Sequence, residues 1–406
     1  MNTLFVSPRQ CWPATGGAKL REYHFAKALE EQGHLHYVFF SSAGAAPPTT
    51  KELAFSSITP VPPIQGYTVK KLIGGLVGRW PLSVRNYWSE QMAGALRTVA
   101  RESPPFDVVH LDSPHLVIYE DLLRSLLPKA QIFYDWHNIE SDILRQFAKN
   151  GPSAPKRLYA RITASKMGAV EARILRTADG HVVCSEREKT QLLTIAPKAR
   201  IEVIANGVDV QRFPAEATRG EGRTRLLFVG LMNYHANVEA ALWFTQRLWP
   251  RIREQFPALR LTLVGADPVP QIRALAELPG VEVTGTVPRV EPYYDEALAA
   301  IVPLRTGGGT RLKILEAMAA GVPVISTELG AEGLDVTPGQ DILLAPSVDS
   351  PELERRWCSA VATVAGDDPA EWIRLSRAGR QLVERHYDWA RLRQQLAEIY
   401  RRWIGS

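Results

Sequence analysis

The chain has 406 residues, enough for about two or three domains that each bury a core of their own. With 45% hydrophobic and 22% charged residues, its composition excludes a wholly disordered or fibrous chain, and its apolar runs stay below the ~18 residues of a membrane-spanning helix. The net charge of +5 favours anionic partners without selecting nucleic acid, phosphates or lipid headgroups.

The first half alternates short apolar runs with helix-period segments. The first run breaks at Pro8 and has no basic segment before it, which indicates a buried strand and not a signal peptide. The runs lie at residues 4–6, 36–40, 108–111, 132–134, 182–184 and 201–204. Runs without polar alternation are typical of parallel sheets that are covered on both faces. The proline-rich residues 43–66 are expected to form a surface loop.

The second half repeats the same rhythm. Its apolar runs lie at residues 226–229, 261–264, 281–284, 300–302 and 322–325. The sequence therefore predicts two doubly wound α/β domains, residues 1–210 and 211–387, with a cleft at the carboxyl ends of the strands. An amphipathic helix over residues 388–406, with an apolar stripe at three- and four-residue spacing, is expected to cross back onto the first domain.

Three widely spaced cysteines argue against a disulfide framework and against a cysteine-based zinc site. This usage fits a reducing cytoplasm. The chain also contains no Asp-x-Asp pattern, a common divalent-metal motif, so no metal site is predicted.

The strongest functional signal is a run of consecutive glycines before a predicted helix: Gly307, Gly308 and Gly309. They expose backbone amides where a strand ends, and Thr310 after them is suited to cap the helix. A plain loop would not require this pattern, because alanine or serine could fill such positions.

Two cations, Arg311 and Lys313, fall in the first turn of that helix. Cations there oppose the helix dipole, so they cost stability unless an anion such as a diphosphate binds between them. We expect both side chains to reach solvent in the empty site. Glu316, three residues after Lys313, could accept hydrogen bonds from the two hydroxyls of a ribose. The alternative is that Lys313 and Glu316 form a surface ion pair.

A weaker glycine signal, Gly16 and Gly17, follows the first predicted strand. Paired glycines at a strand-to-helix turn let backbone amides approach an anion. The alternative is that they only make a tight turn. The third glycine of a dinucleotide-binding motif is missing.

Residues 307–324, together with Asn206-Gly207-Val208-Asp209 and the two predicted sheets, resemble the retaining glycosyltransferases of family 4, which have the GT-B fold. The resemblance implies metal-independent transfer of a sugar from a nucleoside diphosphate sugar to a hydroxyl, without a further cofactor, in bacterial polysaccharide or glycoconjugate synthesis. It also implies Arg311 and Lys313 near the diphosphate, Glu316 on the ribose, and Gly285 and Val287 beside the base.

Three positions depart from that family. The first of two glutamates, eight residues before Glu316, is replaced by Gly308. The usual Arg and Lys after the first strand of the second domain are absent from residues 230–237, where Asn237 is predicted to cap a helix. More of the phosphate charge therefore falls on Arg311 and Lys313. In the first domain, Asp112 stands where the family often has a histidine.

Asp112, His115 and His137 are the candidates on the acceptor side, because they follow predicted strands that share one sheet edge. We take Asp112 and His137 as catalytic candidates with Arg311 and Lys313. The alternatives are that Asp112 caps the helix near Pro114, that His115 is solvated and that His137 bonds a loop.

Two basic stretches of the first domain suit either an anionic membrane surface or a solvated helix face. They contain Lys70, Lys71, Arg79, Trp80, Arg85, Tyr87 and Trp88, and then Lys156, Arg157, Arg161, Lys166, Arg173 and Arg176. A cytoplasmic location with peripheral contact at the inner face of the membrane is the corresponding expectation.

The acceptor is expected to be a glycan, a lipid-linked molecule or another hydroxyl compound, and no nucleic-acid-binding module is recognised. Competing functions are a nucleotide-sugar epimerase and a catalytically silent sugar-nucleotide binding module.

Overall fold

The computed structural model describes residues 1–14, 16–44, 46–64, 66, 75, 78–150, 153–213, 222–307, 309–366 and 368–405. The chain divides into two compact units, Met1–Asn206 with Leu392–Ser406, and Gly207–Arg391. The boundaries predicted from the sequence lie at residues 210 and 387. Among the described residues, no helix has both the length and the hydropathy needed to cross a membrane.

The first unit is built on a parallel sheet. Within its described residues the strand order is β3-β2-β1-β4-β5-β6-β7. The strands are β1 (Asn2–Ser7), β2 (His34–Phe40), β3 (Ser57–Val61), β4 (Val108–Leu111), β5 (Gln131–Trp136), β6 (Gly180–Val183) and β7 (Ile201–Val203). Each apolar run predicted as a strand in this half overlaps one of them.

The surface loop predicted over residues 43–66 is wrong in part. A short helix (Thr50–Leu53) and β3 lie in this segment, and β3 pairs in parallel with β2 from His36↔Ser57 to Phe40↔Val61. β3 ends the strand order, and proline is tolerated in an edge strand because one side of the strand has no ladder to complete. Pro60 therefore lies inside an edge strand, although the prolines of this segment are typical of a loop.

Helices follow the strands of the first unit. They are α1 (Gly17–Glu30), α2 (Thr50–Leu53), α3 (Leu82–Arg85), α4 (Glu90–Glu102), α5 (Glu120–Leu126), α6 (Glu140–Asn150), α7 (Ala154–Thr177) and α8 (Glu186–Ile195), with a 3₁₀ helix at Pro114–Tyr119.

The second unit contains a second parallel sheet, with the described order β10-β9-β8-β11-β12-β13. Its strands are β8 (Arg225–Val229), β9 (Arg260–Val264), β10 (Val281–Gly285), β11 (Ala297–Val302), β12 (Val324–Ser326) and β13 (Leu343–Leu344). The two-residue β13 was not predicted.

The helices of the second unit are α9 (His235–Trp243), α10 (Trp249–Gln255), α11 (Pro270–Arg273), α12 (Glu291–Asp295), α13 (Leu312–Ala319), α14 (Leu353–Ala365) and α15 (Ala370–His386). A π-helical turn at Phe244–Leu248 separates α9 from α10, and 3₁₀ helices lie at Val210–Arg212 and Ala274–Glu277. In both units the parallel strands bring their carboxyl ends to one sheet edge, where sites form in doubly wound folds.

The last helix, α16 (Trp389–Ile404), confirms the amphipathic pattern predicted at the carboxyl end. The Tyr400 hydroxyl lies 2.6 Å from Nδ1 of His110 on β4. The rings of Tyr400 and Trp403 both lie 4.9 Å from the ring of Phe133 on β5. Residues from Leu392 onward belong to the first unit, because this apolar stripe is buried on its sheet.

Candidate active site

The glycine run lies after β11, in the second unit. Gly307 and Gly309 have φ values of +109° and +78°, a region that favours glycine, and Gly308 falls outside the described residues. A Cβ on Gly307 would lie 3.2 Å from the Ala236 side chain, so this position also needs a small residue. The sequence thus places a bare-backbone turn directly before α13.

Thr310 does not cap α13, which corrects the prediction. The amide of Leu312 donates to the Thr310 carbonyl at 3.2 Å, and this tight turn moves the helix start to Leu312, with Arg311 at the cap position. No side chain caps the helix there. The amino end of α13, which is the end of a helix that attracts an anion, therefore lies directly after the glycine turn.

Arg311 turns back onto the glycine loop. Its Nη1 donates to the Gly309 carbonyl at 2.6 Å, and the residue is 7% exposed. The expectation that this side chain reaches solvent freely is wrong, because the turn folds the guanidinium inward. Burial lowers the pKa of Arg311 from its usual value.

Lys313 projects toward the loop that follows β8. Its Nζ donates to Oδ1 of Asn237 at 2.7 Å and lies 4.3 Å from the centre of the Phe228 ring. Burial, and next the charge of Arg311, lower the pKa of Lys313 to about 7. A bound anion would raise this pKa again, because it favours the charged form of the amine.

Asn237 is not the helix cap that the sequence predicted. Tyr234 precedes the first residue of α9, and Asn237 lies in the first turn with its Nδ2 donating to the Leu231 carbonyl at 2.9 Å. That bond turns its oxygen to Lys313. A Cβ on Gly230 would lie 2.9 Å from Nζ of Lys313, so Gly230 makes room for this pair. The sequence analysis assigned neither residue to the site.

Glu316, one turn after Lys313 on α13, is held by α12. Its Oε2 accepts from the hydroxyl of Tyr294 on α12 at 3.3 Å, and burial raises its pKa to about 7. Since Lys313 bonds Asn237 and Glu316 bonds Tyr294, the alternative of a surface Lys313–Glu316 pair is not what the structure contains. Gly285, with φ +71°, ends β10, and Val287 follows it at the same edge of the sheet.

In the first unit, Gly16 and Gly17 form the start of α1. Gly16 has an extended backbone without a side-chain cap, its carbonyl accepts from the Leu20 amide at 2.8 Å, and Gly17 is the first helical residue. A Cβ on Gly16 would meet nothing within 4 Å. Free space at this helix start is compatible with an anion and equally with a simple turn.

Asp112 and His137 meet at the carboxyl ends of β4 and β5. Nε2 of His137 lies 3.2 Å from both carboxylate oxygens of Asp112. Asp112 is fully buried and does not cap the following helix, since Ser113 accepts from the His115 amide at 3.2 Å. His115 is half-buried, and its Nδ1 lies 2.9 Å from the Ser113 hydroxyl.

Asp112 and His137 are both shifted toward their neutral forms. Burial, and next the carboxylate of Asp135, raise the pKa of Asp112 well above its usual value. Burial lowers the pKa of His137 to about 4. A neutral imidazole beside a carboxyl group of raised pKa can hold or pass a proton, which suits a site that binds a hydroxyl.

A buried ion pair, which the sequence analysis missed, supports these residues. Arg21 donates to both oxygens of Asp135, from Nε at 2.7 Å and from Nη2 at 2.6 Å. Burial raises the pKa of Asp135, but the guanidinium outweighs it and the net shift is downward. The next residue of α1, Glu22, accepts from Ser7 and Tyr37, and burial raises its pKa well above the usual value.

One donor atom each from Asp112, Asp135 and His137 lie within 4.8 Å of one another, close enough to share a metal ion. Both Asp135 oxygens also accept hydrogen bonds from Arg21, so Asp135 already has a cationic partner. We therefore interpret this cluster as a hydrogen-bonded charge network.

Comparison with known proteins identifies the family of the chain. The family model described as Glycosyltransferase Family 4 matches residues 15–212, and the one described as Glycosyl transferases group 1 matches residues 223–363. The chain is a family 4-like glycosyltransferase with the GT-B fold. The resemblance drawn from residues 307–324 is confirmed.

This family member is similar to glycogen synthase of Mycobacterium tuberculosis, with 30% identity over 242 residues, 57% of this chain and 56% of the relative. The chain thus spans about half the length of the curated relatives it matches. Sucrose-phosphate synthase from Thermosynechococcus elongatus shares its fold at TM-score 0.72 and 18% identity, covering 100% of this chain and 99% of that one. HepE of Anabaena, solved with UDP and glucose, aligns at TM-score 0.64 and 16% identity over 98% of both chains.

Proposed function

We propose that this protein transfers a sugar from a nucleoside diphosphate sugar to an acceptor hydroxyl, with the donor bound by the second unit. The observation that supports this most is the placement of Lys313. Its amine comes from the first turn of α13 yet lies beside Asn237 and Gly230, after β8. The loop after β8 lacks the Arg and Lys that are usual in the family. Lys313 of α13 therefore supplies a positive charge at this position.

The leaving diphosphate gains negative charge as the glycosidic bond breaks. Arg311, Lys313 and the backbone amides of the glycine turn would bind that charge more strongly in the transition state than in the ground state, which is what accelerates a reaction. Arg311 is buried and Lys313 is half-buried, which strengthens each interaction because less water screens it. Stabilisation of the leaving group is the main catalytic effect in this proposal.

In this proposal the configuration of the transferred sugar is retained, because the acceptor hydroxyl attacks from the face that the diphosphate leaves. A donor phosphate oxygen helps to take the proton of that hydroxyl. The cations supply the charge that a divalent metal supplies in other transferases, so no metal and no further cofactor is required. Glu316 binds the ribose hydroxyls, and Gly285 and Val287 lie beside the base.

The first unit would bind the acceptor. Asp112 and His137, both shifted toward neutrality, would orient its hydroxyl or the sugar. We propose a role in polysaccharide or glycoconjugate synthesis, with a glycan or a lipid-linked acceptor. A lipid-linked acceptor would bring the protein to the anionic inner face of a membrane as a peripheral protein.

A thermal-shift panel of nucleoside diphosphate sugars tests donor binding and identifies the base. A ligand at a hundred times its dissociation constant stabilises the fold by about 2.7 kcal/mol. HepE was solved with UDP and glucose, so uridine donors open the panel and guanosine donors follow. A panel without any shift would contradict the proposal.

One sequence feature favours a second candidate, a silent sugar-nucleotide binding module: Gly308 stands where the family has a carboxylate near the donor sugar. The same glycine disfavours an epimerase, which needs acid and base groups flanking the sugar. Slow hydrolysis of the donor, measured as nucleoside diphosphate release, supports a transferase. Binding without release supports the silent module.

A further inference from the structure

Large apolar side chains are exposed on two consecutive helices of the first unit. On α6 they are Ile143 and Phe147, exposed by 44% and 45%, and on α7 they are Leu158 and Ile162, exposed by 59% and 39%. Each pair is four residues apart and so lies on one face of its helix. We call these four residues the apolar face of the α6–α7 hairpin.

The hairpin is firmly packed on its other side. The amide of Ser141 donates to Oε1 of Glu171 at 2.9 Å, which ties the start of α6 to the end of α7. Met167, Val170 and Ile174 are buried in the core of the unit. Because the inner face of α7 already packs in the core, Leu158 and Ile162 on its outer face remain exposed.

The charge around the apolar face is mainly basic. From Ile143 to Val170 the sequence contains six basic residues and no acidic one: Arg145, Lys149, Lys156, Arg157, Arg161 and Lys166. Lys149, Lys156 and Arg161 are exposed beside the apolar residues. Asp142, directly before Ile143, is ion-paired with Arg145 and Arg187, so the border of the apolar face is mainly lysine and arginine. A surface of this kind is the pattern of a protein that lies on an anionic bilayer.

Aromatic side chains extend the same region. Lys166 of α7 donates to the Gly78 carbonyl at 2.9 Å, and the guanidinium of Arg173 lies 5.4 Å from the centre of the Trp80 ring. A few residues further on, Trp88 is 39% exposed and stacks on Tyr119. Tryptophan prefers the level of lipid headgroups.

We propose that the apolar face of the α6–α7 hairpin inserts into the headgroup boundary of an anionic lipid bilayer, with Lys149, Lys156 and Arg161 held at the phosphates. The inference rests on the proposed function in that a lipid-linked acceptor would be reached there. A second copy of this chain is the less favoured occupant, because it would bring a surface of the same positive charge against the first.

Co-sedimentation of the full chain with lipid vesicles tests this surface. Binding is expected to vesicles of phosphatidylcholine with phosphatidylglycerol, to fall as salt is raised, and to be weak on phosphatidylcholine alone. The double variant Leu158→Glu with Ile162→Glu should bind at least about tenfold more weakly, the factor that about 1.4 kcal/mol corresponds to. The double variant Lys156→Gln with Arg161→Gln should lose the preference for phosphatidylglycerol.

The matched control is Val348→Glu, which adds a charge at an apolar residue 73% exposed in the second unit. It should bind vesicles like the parent protein. Parent-like binding by both double variants, or no binding by the parent protein, would overturn the proposal. So would a parent dimer in gel filtration that Leu158→Glu with Ile162→Glu converts to a monomer, since a second copy would then cover the face.

Nucleoside diphosphate affinity, measured on the same preparations, separates the two proposals. The hairpin variants should keep the parent affinity, because their substitutions lie in the first unit and the donor residues in the second. Loss of vesicle binding with full donor affinity supports the surface. A parent protein that binds vesicles but no nucleotide contradicts the proposed function and leaves the membrane surface supported.

Discussion

Nζ of Lys313 and Oδ1 of Asn237 lie 2.7 Å apart, although 76 residues separate them in the chain. The pair joins the amino end of α13 to the first turn of α9, which follows β8. It holds a partly neutralised amine at the carboxyl edge of the sheet, where a diphosphate would restore its charge.

Gly230→Ala should disturb this pair without unfolding the protein. The new methyl group would lie 2.9 Å from Nζ of Lys313 and 2.7 Å from Nδ2 of Asn237, so both side chains must shift. We expect nucleoside diphosphate affinity to fall about tenfold, a loss of about 1.4 kcal/mol, as measured by calorimetry. Gly94→Ala, where a Cβ meets nothing within 4 Å, is the control and should bind normally. Equal affinities for the two variants would show that Lys313 does not bind the ligand.

Donor binding should take up a proton above neutral pH. The pKa of Lys313 is about 7 in the empty site, and a bound diphosphate raises it, so a lysine that is neutral beforehand becomes charged. The affinity should therefore fall as pH rises past 7. Calorimetry at about pH 8, in buffers of different ionisation enthalpy, measures the uptake directly.

The control for proton uptake is Lys313→Arg, because a guanidinium stays charged throughout this range and should abolish the uptake. Below pH 7 an opposite contribution is expected from Glu316, whose pKa is also about 7 and whose carboxylate form binds the ribose better. Proton release at pH 8, or uptake that persists in the arginine variant, would contradict the assignment to Lys313.

Asp112→Asn and His137→Ala should depress sugar transfer by about 10²-fold while nucleoside diphosphate affinity stays nearly unchanged. Both residues belong to the first unit and the donor residues to the second, so binding and chemistry should separate. Product formation and calorimetry on the same preparations measure the two effects. His34→Ala, at the opposite end of the strands, is the matched control. Transfer at the parent rate in both variants would make Asp112 and His137 structural.

Activity should persist in excess EDTA. Arg21 already pairs with Asp135 within the Asp112, Asp135 and His137 cluster. In the proposed function, Arg311 and Lys313 provide the charge that binds the diphosphate. Donor hydrolysis or transfer is measured before and after chelation, with Mn²⁺ and Mg²⁺ added back. A strict requirement for either ion would show that the cluster or the donor site binds a metal.

The parts of the fold that sequence reasoning found are those set by local pattern. Apolar runs such as 108–111 and 261–264 mark buried strands, and the glycines before Arg311 mark a turn at a helix start, because each depends on neighbours in the chain. β3 was not predicted, because a proline such as Pro60 is typical of a loop. In an edge strand, however, proline costs little stability.

The partners of the site residues could not be found in this way. Arg21 meets Asp135 across 114 residues, and Tyr294 meets Glu316 across 22. These pairs depend on which strands become neighbours and on how α1 and α12 lie against them. The inward turn of Arg311 was missed for a related reason, since one hydrogen bond in the Thr310 turn decides where α13 begins.

The central claim is that Arg311 and Lys313 bind the diphosphate of the donor. The most direct test compares nucleoside diphosphate affinity and donor turnover of Arg311→Ala and Lys313→Ala with those of Arg305→Ala, an arginine of the same loop that packs on Trp243. Thermal melting verifies that each variant is folded, which matters most for the buried Arg311. The account predicts weaker binding and about 10²-fold lower turnover for the first two and parent behaviour for the third. Parent affinity and parent turnover in both Arg311→Ala and Lys313→Ala would contradict it.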